Sequence, residues 1–139
     1  MTFTSEEIEY LSKQDLGRLA TAQPNGALQN SPVGFTCNID LGTIDIGGYN
    51  MSASQKYKNL AANPTVAFVV DDIVSRSPWR VRCLEIRGTA EQVEAGTDRD
   101  MAGPIIRIHP TRIISFGLAD GDLELEPHQI TPSKRNLPT

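Results

Sequence analysis

The chain of 139 residues carries a formal net charge of −4, with 39% hydrophobic and 22% charged residues. This balance is typical of a globular chain rather than a disordered one, and the negative charge disfavours nucleic acid as a ligand. The length fits one domain, no apolar run approaches the roughly 20 residues that cross a bilayer, and residues 1–7 lack the features of a secretory signal. We therefore expect one cytoplasmic domain over residues 1–139, with its core over 5–118 and a tail over 119–139.

Turn signals and apolar periodicity divide the chain into two helices and several strands. A capping box at Thr4 and Glu7 predicts the first helix over residues 5–14, and the second helix is predicted over 54–61. The strands are predicted over residues 16–22, 27–37, 43–47, 66–70, 79–93, 105–108 and 112–118. Short strands joined by hairpins, with only two short helices, favour a small antiparallel barrel.

Polar and proline-containing segments separate the later strands. Residues 71–78 are predicted to form a polar loop, and Gly88 is predicted to mark a bulge. The pair His109-Pro110 is predicted to end a strand. The tail is rich in Pro, Asp and Glu and is expected to pack loosely or to dock on a partner.

The two cysteines, Cys37 and Cys83, lie in strand-like runs with no Cys-x-x-Cys or histidine spacing around them. This arrangement predicts reduced thiols and no metal site. Most arginines fall in the second half of the chain. They are either solvated residues of strand faces or the wall of an electropositive cleft for an acidic small molecule.

The junction between the strand at 43–47 and the second helix carries the clearest functional signal. A pair of glycines follows the strand, and small hydroxyl residues and Lys56 open the helix. A helix N-terminus exposes free backbone N–H groups and the positive end of the helix dipole, so it can bind an anion. The pattern indicates a phosphate-bearing cofactor, although Ser52-x-x-Gln55 is also an acceptable capping box that only starts a helix.

Several segments, taken in order, resemble the pyridoxamine-phosphate-oxidase-like split barrels over most of residues 5–118. The matching segments are Gly17-Arg18-Leu19-Ala20-Thr21, Ser31-Pro32-Val33-Gly34-Phe35, Ser54-Gln55-Lys56 with Asn63-Pro64, Gly88-Thr89-Ala90-Glu91 and the run over 106–115. The resemblance implies a six- to seven-stranded antiparallel split β-barrel. It also implies a homodimer that binds a flavin or deazaflavin in a groove between the subunits.

By this resemblance the cofactor contacts four parts of the chain. The expected binding residues are Ser31, Pro32 and Val33 beside the tricyclic ring, Gly48, Tyr49, Asn50 and Met51 at the ribityl chain or ring, Ser54, Gln55 and Lys56 at the phosphate, and Trp79, Arg80 and Arg82. Trp79 either stacks on the cofactor or substrate, or is a packing residue of a strand. Arg80 and Arg82, with Lys56 and Lys58, suit the acidic oligoglutamate tail of a deazaflavin.

The chain departs from the FMN-dependent oxidases it resembles at positions that usually hold the flavin. Ser31 and Thr36 stand where an arginine and a lysine are usual on the second strand. Gln55 replaces an arginine that commonly precedes the helix lysine, and Cys83 replaces a glutamine. The C-terminal tryptophan and arginine motif that recognises pyridoxal phosphate is also missing, which argues against vitamin B6 oxidation.

The remaining features look closest to the actinobacterial branch that uses coenzyme F420. The run over 78–83 and the ending Arg107-Ile108-His109-Pro110 resemble reductases of tetracycline-type polyketide pathways, a setting of antibiotic biosynthesis. The implied reaction is hydride transfer from the reduced deazaflavin to an electron-poor C=C, such as that of a polycyclic enone. Smaller quinones or a tetrapyrrole stay open as substrates. The alternatives are an FMN-dependent reductase or oxidase on the same barrel, and a non-catalytic cofactor-binding protein.

Such a reaction also needs a proton, which comes from solvent or from a positioned acid. Tyr49, Tyr57 and His109 are the candidate catalytic residues. His109 precedes a proline and has no carboxylate partner nearby in the sequence, so a partly exposed structural residue is the simpler interpretation.

Overall fold

The computed structural model describes residues 2–94 and 103–138. The described residues form two α-helices, eight strands and three short 3-10 turns. The helices are α1 (Ser5–Ser12) and α2 (Gln55–Ala62), and the turns are Met51–Ala53, Asp122–Glu124 and Pro127–Gln129. The strands are β1 (Gly17–Ala22), β2 (Leu28–Val33), β3 (Thr36–Asn38), β4 (Thr43–Ile46), β5 (Thr65–Arg76), β6 (Trp79–Val93), β7 (Ile105–Phe116) and β8 (Ser133–Asn136).

The strands pair in the order β2-β1-β5-β6-β7-β4-β3, with β8 added to β7. Every pair of neighbouring strands is antiparallel, and the long strands β5, β6 and β7 lie at the centre of the sheet. This arrangement confirms the predicted fold class of an antiparallel split barrel with two short helices. The described part of the chain has more strands than the predicted six or seven because the tail contributes β8.

The core lies against one face of the sheet. Phe68, Ile86 and Ile113 form one buried row across β5, β6 and β7, each at most 1% exposed. Because successive side chains of a strand point to opposite faces, the residues next to each of these three in its own strand face outward. Leu11 of α1 and Leu60 of α2 cover the core from the helical side.

Helix α1 begins as the sequence predicts. The Glu7 backbone N–H donates to Thr4 Oγ1 at 3.2 Å, and the Thr4 N–H donates to Glu7 Oε1 at 2.9 Å, which completes the capping box. The helix ends at Ser12, two residues before the predicted end.

The predicted polar loop over 71–78 is wrong, because β5 continues to Arg76 and only Ser77 and Pro78 turn the chain. The polar residues of this segment are compatible with a strand since each carboxylate has a cationic partner on a neighbouring element. Asp71 Oδ1 lies 2.9 Å from Arg18 Nη1, and Asp72 pairs with Arg82 from the opposite face of the strand. A pattern of charges therefore concealed the distal half of the β5–β6 hairpin.

Two other strand boundaries differ from the prediction. The strand predicted over 27–37 is broken at residues 34–35 into β2 and β3, which join opposite edges of the sheet. The expected stop at His109-Pro110 is wrong, because β7 runs through it. The register shifts between Arg87 and Gly88, where Gly88 faces Pro110 and Arg87 faces Arg112, so the irregularity predicted at Gly88 is confirmed, with Thr111 of β7 as the extra residue. The bulge lets the strand pass a proline that cannot donate to the ladder.

The tail docks on its own domain rather than packing loosely. Strand β8 pairs with β7, Ile130 is 8% exposed, and Arg135 forms an ion pair with Glu7 of α1. Most of the irregular segment predicted over 94–104 falls outside the described residues. Among the described residues, no helix is long and apolar enough to cross a membrane.

Candidate functional site

The candidate site is built around the chain that leads from β4 through a 3-10 turn into α2. Ser54 caps α2, because its Oγ accepts the Tyr57 N–H at 3.4 Å and donates to the Met51 carbonyl at 2.7 Å. The capping box expected at Ser52 is wrong, since Ser52 lies inside the 3-10 turn. Asn50 begins that turn with φ at 59°, a left-handed conformation that asparagine tolerates better than most residues.

The N-terminus of α2 presents unpaired donors. Among the described residues, the backbone N–H groups of Gln55 and Lys56 have no acceptor, as expected for the first turn of a helix. The Lys56 side chain is half-buried and forms no ion pair with a described residue. These groups and the positive end of the helix dipole together form a site that suits a phosphate.

The turn before α2 separates the residues expected near the ribityl chain into two groups. Gly48, Tyr49 and Asn50 are exposed, and Tyr49 is fully so at 104%. Met51 is only 2% exposed and belongs to the core, where its sulfur lies 3.4 Å from Ser54 Oγ. A Cβ on residue 48 would lie 3.0 Å from the Met51 side chain, so a glycine there lets the exposed turn close over Met51.

A buried polar network joins α2 to β1 and β2. Asn59 is 0% exposed, and its Nδ2 donates to Thr21 Oγ1 at 2.9 Å and to Gln29 Oε1 at 3.4 Å. Its Oδ1 accepts from Gln55 Nε2 at 2.7 Å, while Gln29 Nε2 donates to Ser31 Oγ at 3.3 Å. The network connects the expected phosphate end with the expected ring end. No sequence pattern pointed to Asn59, although its spacing of four residues from Gln55 on a helix was a usable signal.

Strand alternation divides the residues expected beside the ring. Ser31 faces Leu19 and Val33 faces Gly17 across the β1–β2 ladder, so both lie on the core side of β2. Pro32 faces Arg18 and is exposed on the other side. Of these three residues, Ser31 is therefore the one that places a polar side chain on the face of β2 next to α2.

Trp79, Arg80 and Arg82 lie far from Lys56 within one chain. Gln92 Nε2 donates to the Tyr57 carbonyl at 2.8 Å, which places α2 at the far end of β6 from Trp79. With 15 residues in β6 at about 3.3 Å each, the two ends are separated by roughly 45 Å along the strand. The residues expected at one cofactor thus lie near opposite ends of β6, with Lys56 on α2 beside one end and Trp79 at the other.

Arg82 already has a partner for its charge. Its Nη2 lies 2.7 Å from Asp72 Oδ2 and its Nε lies 3.1 Å from Asp72 Oδ1, while its guanidinium lies 4.9 Å from the centre of the Tyr10 ring. The hydrogen bonds from Arg82 lower the pKa of Asp72, and burial together with a 2.7 Å hydrogen bond to Asp72 raises the pKa of Tyr10. This cluster holds α1 against the β5–β6 hairpin.

Arg80 differs from Arg82 in having an unsatisfied group. Its Nη1 is buried and has no hydrogen-bond partner among the described residues, whereas the adjacent Trp79 is 52% exposed. A buried guanidinium N–H without an acceptor is unfavourable, so this position suits an added acceptor.

The remaining candidate acids have different surroundings. Tyr57 is 9% exposed and belongs to the core. The exposed His109 does have a carboxylate partner, because its Nε2 lies 3.0 Å from Glu91 Oε1 across the β6–β7 ladder. The pair was invisible in the sequence, since 18 residues separate its members.

A buried ion pair supports β4, the strand that leads into the site. Asp45 accepts from Arg107 Nε at 3.0 Å, Thr43 Oγ1 at 2.8 Å and Asn38 Nδ2 at 2.9 Å. Burial by itself raises the pKa of Asp45, but these hydrogen bonds outweigh it and hold the pKa below its ordinary value.

Both cysteines are free and half-buried, and burial raises the pKa of each thiol. Within residues 2–94 and 103–138, no group of three or more His, Cys, Asp or Glu side chains could hold a metal ion.

Comparison with known proteins finds matches over nearly the whole chain. The family model described as pyridoxamine 5'-phosphate oxidase matches residues 3–120. A 5a,11a-dehydrotetracycline/5a,11a-dehydrooxytetracycline reductase of Streptomyces rimosus is 44% identical over 131 residues, which cover 92% of each chain. A conserved hypothetical protein of Mycobacterium tuberculosis superposes with a TM-score of 0.68 at 22% identity, covering 89% of both chains. An F420 reductase superposes with a TM-score of 0.58 at 26% identity, covering 76% of this chain and 93% of its own.

Proposed function

This chain belongs to the pyridoxamine 5'-phosphate oxidase family, and from that premise we propose that it is an F420-dependent reductase. The proposed reaction transfers a hydride from the reduced deazaflavin to an electron-poor C=C of a polycyclic enone. The relative from Streptomyces rimosus, whose name describes a dehydrotetracycline reductase, supports both the reaction type and the substrate class. The structural similarity to an F420 reductase supports the choice of cofactor.

The observation that carries the proposal is the free N-terminus of α2. Two backbone N–H groups without described acceptors, at Gln55 and Lys56, adjoin the Lys56 ammonium group. This donor set fits a phosphate monoester or diester, because it offers directional hydrogen bonds and one positive charge. When bound, the reduced deazaflavin supplies the hydride. The chain itself holds and orients the cofactor and excludes water from it.

The surroundings of this N-terminus favour F420 over FMN. The side chains of Ser31 and Gln55, at positions where flavin enzymes of this family usually carry arginines, are engaged in the neutral Asn59 network. Of the residues expected to bind the phosphate, Lys56 is therefore the one with a charged side chain. FMN is the second candidate, because the free N–H groups recognise a phosphate and both cofactors carry one.

We test the cofactor by titrating purified protein with F420 and FMN in parallel. F420 is expected to bind at micromolar or lower concentration and FMN more weakly. Lys56→Gln is expected to weaken F420 binding about tenfold, because it removes a charge-assisted contact. Lys134→Gln is the control, since it removes the same charge from an exposed position on β8, outside the helix that carries Lys56. Tighter FMN binding would favour the flavin alternative, and binding of neither cofactor would refute the proposal.

Turnover is tested separately. Reduced F420 mixed with the protein and 5a,11a-dehydrotetracycline should lose its reduced-state absorption in step with product formation. Stoichiometric F420 binding with no turnover on this or any other enone would favour a non-catalytic cofactor-binding protein.

We also propose that two copies of the chain complete the site. Ile73 and Trp79, near the end of the β5–β6 hairpin, and Leu28 on the edge strand β2 are large apolar side chains with 43% to 82% exposure. Exposed apolar groups of this size are typical of surfaces that meet another protein. Because Arg80 lies far from Lys56 along β6, it can approach a bound cofactor only from a second copy.

Subunit mixing tests this arrangement directly. Lys56→Gln and Arg80→Gln are each expected to bind F420 weakly as homodimers. In a dimer of one copy of each variant, one site carries both changes and the other carries neither. An exchanged equimolar mixture should therefore recover about one quarter of the wild-type sites. A monomer in sedimentation, or a mixture no better than its parts, would refute the shared site.

A further inference from the structure

Asn59 is the branch point of the only described polar network that reaches both ends of the candidate site. Its side-chain amide is fully buried, and each of its polar atoms has a partner: Nδ2 donates to Thr21 and Gln29, and Oδ1 accepts from Gln55. A buried amide is strongly constrained in this way, because an unpaired donor or acceptor costs about 1–3 kcal/mol.

The amides of the network are coupled in orientation. If the Asn59 amide alone were reversed, its Oδ1 would face Gln29 Oε1 and its Nδ2 would face Gln55 Nε2, and both contacts would be repulsive. Gln55, Asn59 and Gln29 therefore turn together, and in either sense their hydrogen bonds form one continuous chain that ends at Ser31. Bonds aligned in such a chain polarise one another.

The contact with Gln29 leaves Ser31 one hydrogen bond to offer a ligand. Its Oγ lies 3.3 Å from Gln29 Nε2, and no other described residue forms a hydrogen bond with this hydroxyl. Ser31 is half-buried on the face of β2 that adjoins α2. A hydroxyl held in this way by one partner presents its remaining hydrogen-bonding capacity to the next group.

We propose that Asn59 is a positioning residue that, through Gln29, holds the Ser31 hydroxyl in place to form a hydrogen bond with the polar edge of the bound ring. Its contact with Gln55 ties that hydroxyl to the phosphate-binding end of α2, so the two ends of one ligand are held at a fixed spacing. This inference rests on the proposed function, because it concerns a ligand that carries both a ring and a phosphate.

The test compares F420 with its chromophore lacking the phosphate-linked tail. The dissociation constant of the tail-less chromophore divided by that of F420 is the ratio that measures how well the phosphate and ring contacts are made together. Gln29→Leu breaks the network between Asn59 and Ser31, and it is expected to lower this ratio about tenfold. Asn59→Leu is expected to lower the ratio at least as far where it folds, and Gln29→Leu keeps the test valid where it does not. Thr21→Val is the control, because it removes one hydrogen bond of Asn59 but leaves the path to Ser31 intact.

A second measurement identifies Ser31 as the end of the path. Ser31→Ala and Gln29→Leu should produce the same shift in the absorption maximum of the bound chromophore, and the double variant should add nothing further. Unchanged ratios in both network variants, or additive effects of Ser31→Ala and Gln29→Leu, would overturn the inference while leaving the proposed function intact. A wild-type protein that binds neither F420 nor the tail-less chromophore would overturn both the inference and the proposed function.

Discussion

Arg135 of β8 and Glu7 of α1, 128 residues apart in the chain, form a charged contact in which Arg135 Nη2 lies 2.6 Å from Glu7 Oε1. The Glu7 side chain is 4% exposed, and its carboxylate also completes the capping box of α1. Arg135 donates in addition to the Thr2 carbonyl at 2.8 Å. The tail therefore fastens the N-terminal helix to the sheet at a position where a buried carboxylate needs a cation.

Arg135→Met should destabilise the protein markedly, because it leaves the Glu7 carboxylate buried without its cation. We expect a loss of about 2–3 kcal/mol in the free energy of unfolding, measured by urea denaturation. Lys13→Met is the matched control, since Lys13 pairs with Glu9 on the same helix but both side chains are more than 60% exposed. That change should cost less than about 0.5 kcal/mol. Equal effects of the two substitutions would show that the tail does not hold α1.

Asp45 should make stability depend on pH in the acid range. Its pKa is below the ordinary value in the folded state, so the unfolded chain takes up the proton more readily. The stabilisation it provides is complete above the ordinary aspartate pKa of about 3.9, and it is lost as the pH falls through the lower folded value. Asp45→Asn should therefore cost about 2–4 kcal/mol at pH 7 and less at pH 3.

Urea denaturation of both proteins across this pH range measures the difference. Asp40→Asn, at an exposed position without a described ion pair, serves as the control and should show little penalty at either pH. A penalty for Asp45→Asn that stays constant from pH 7 to pH 3 would contradict the role of its ionised form.

Gly88 should tolerate no side chain. A Cβ at this position would lie 2.1 Å from the His109 carbonyl oxygen and 3.1 Å from Pro110 Cα, and both are backbone atoms of β7. Gly88→Ala must therefore distort the bulge, at an expected cost of about 3 kcal/mol in unfolding free energy. At Gly34 the nearest atom to such a Cβ is 4.0 Å away, so Gly34→Ala should be within about 0.5 kcal/mol of wild type. Similar stabilities of the two variants would show that β6 and β7 can separate at the bulge.

Local patterns in the sequence predicted local structure well. The capping box at Thr4 and Glu7 forms as expected, and the apolar run over 66–70 lies within β5. The glycine in a strand pattern at residue 88 marks a real bulge. In each case the deciding interaction joins residues close in sequence, or depends on a property of one residue type.

The failures arose where distant residues decide the outcome. Asp71 and Asp72 looked like a polar loop, but Arg18 and Arg82 neutralise them within a strand. Pro110 looked like a strand end, but β7 carries an extra residue, Thr111, opposite Arg87 and Gly88 of β6 and continues past the proline. Such partners are not visible in a single sequence, because no local pattern links them.

The same limit applied to the candidate site. The residues expected at the phosphate, Ser54 to Lys56, do gather at one helix terminus because they are consecutive. Trp79 and Arg82 could be associated with them only through resemblance, and in one chain they lie at the opposite end of β6. Asn59 was missed because its importance comes from burial and from contacts with β1 and β2.

Arg80 and Arg82 should respond to substitution in opposite ways. Arg82 is bound on two sides by the Asp72 carboxylate and covers the Tyr10 ring, so Arg82→Gln should cost about 2 kcal/mol in stability. F420 affinity should change less than threefold in this variant, since the charge of Arg82 is already neutralised.

Arg80 Nη1 lacks an acceptor, so Arg80→Gln should leave stability within about 1 kcal/mol of wild type. It should weaken the binding of F420 about tenfold, and more so for a longer oligoglutamate tail. Thermal denaturation and fluorescence titration of both variants separate the two effects. A loss of affinity in Arg82→Gln equal to that in Arg80→Gln would mean that Asp72 releases Arg82 to the ligand.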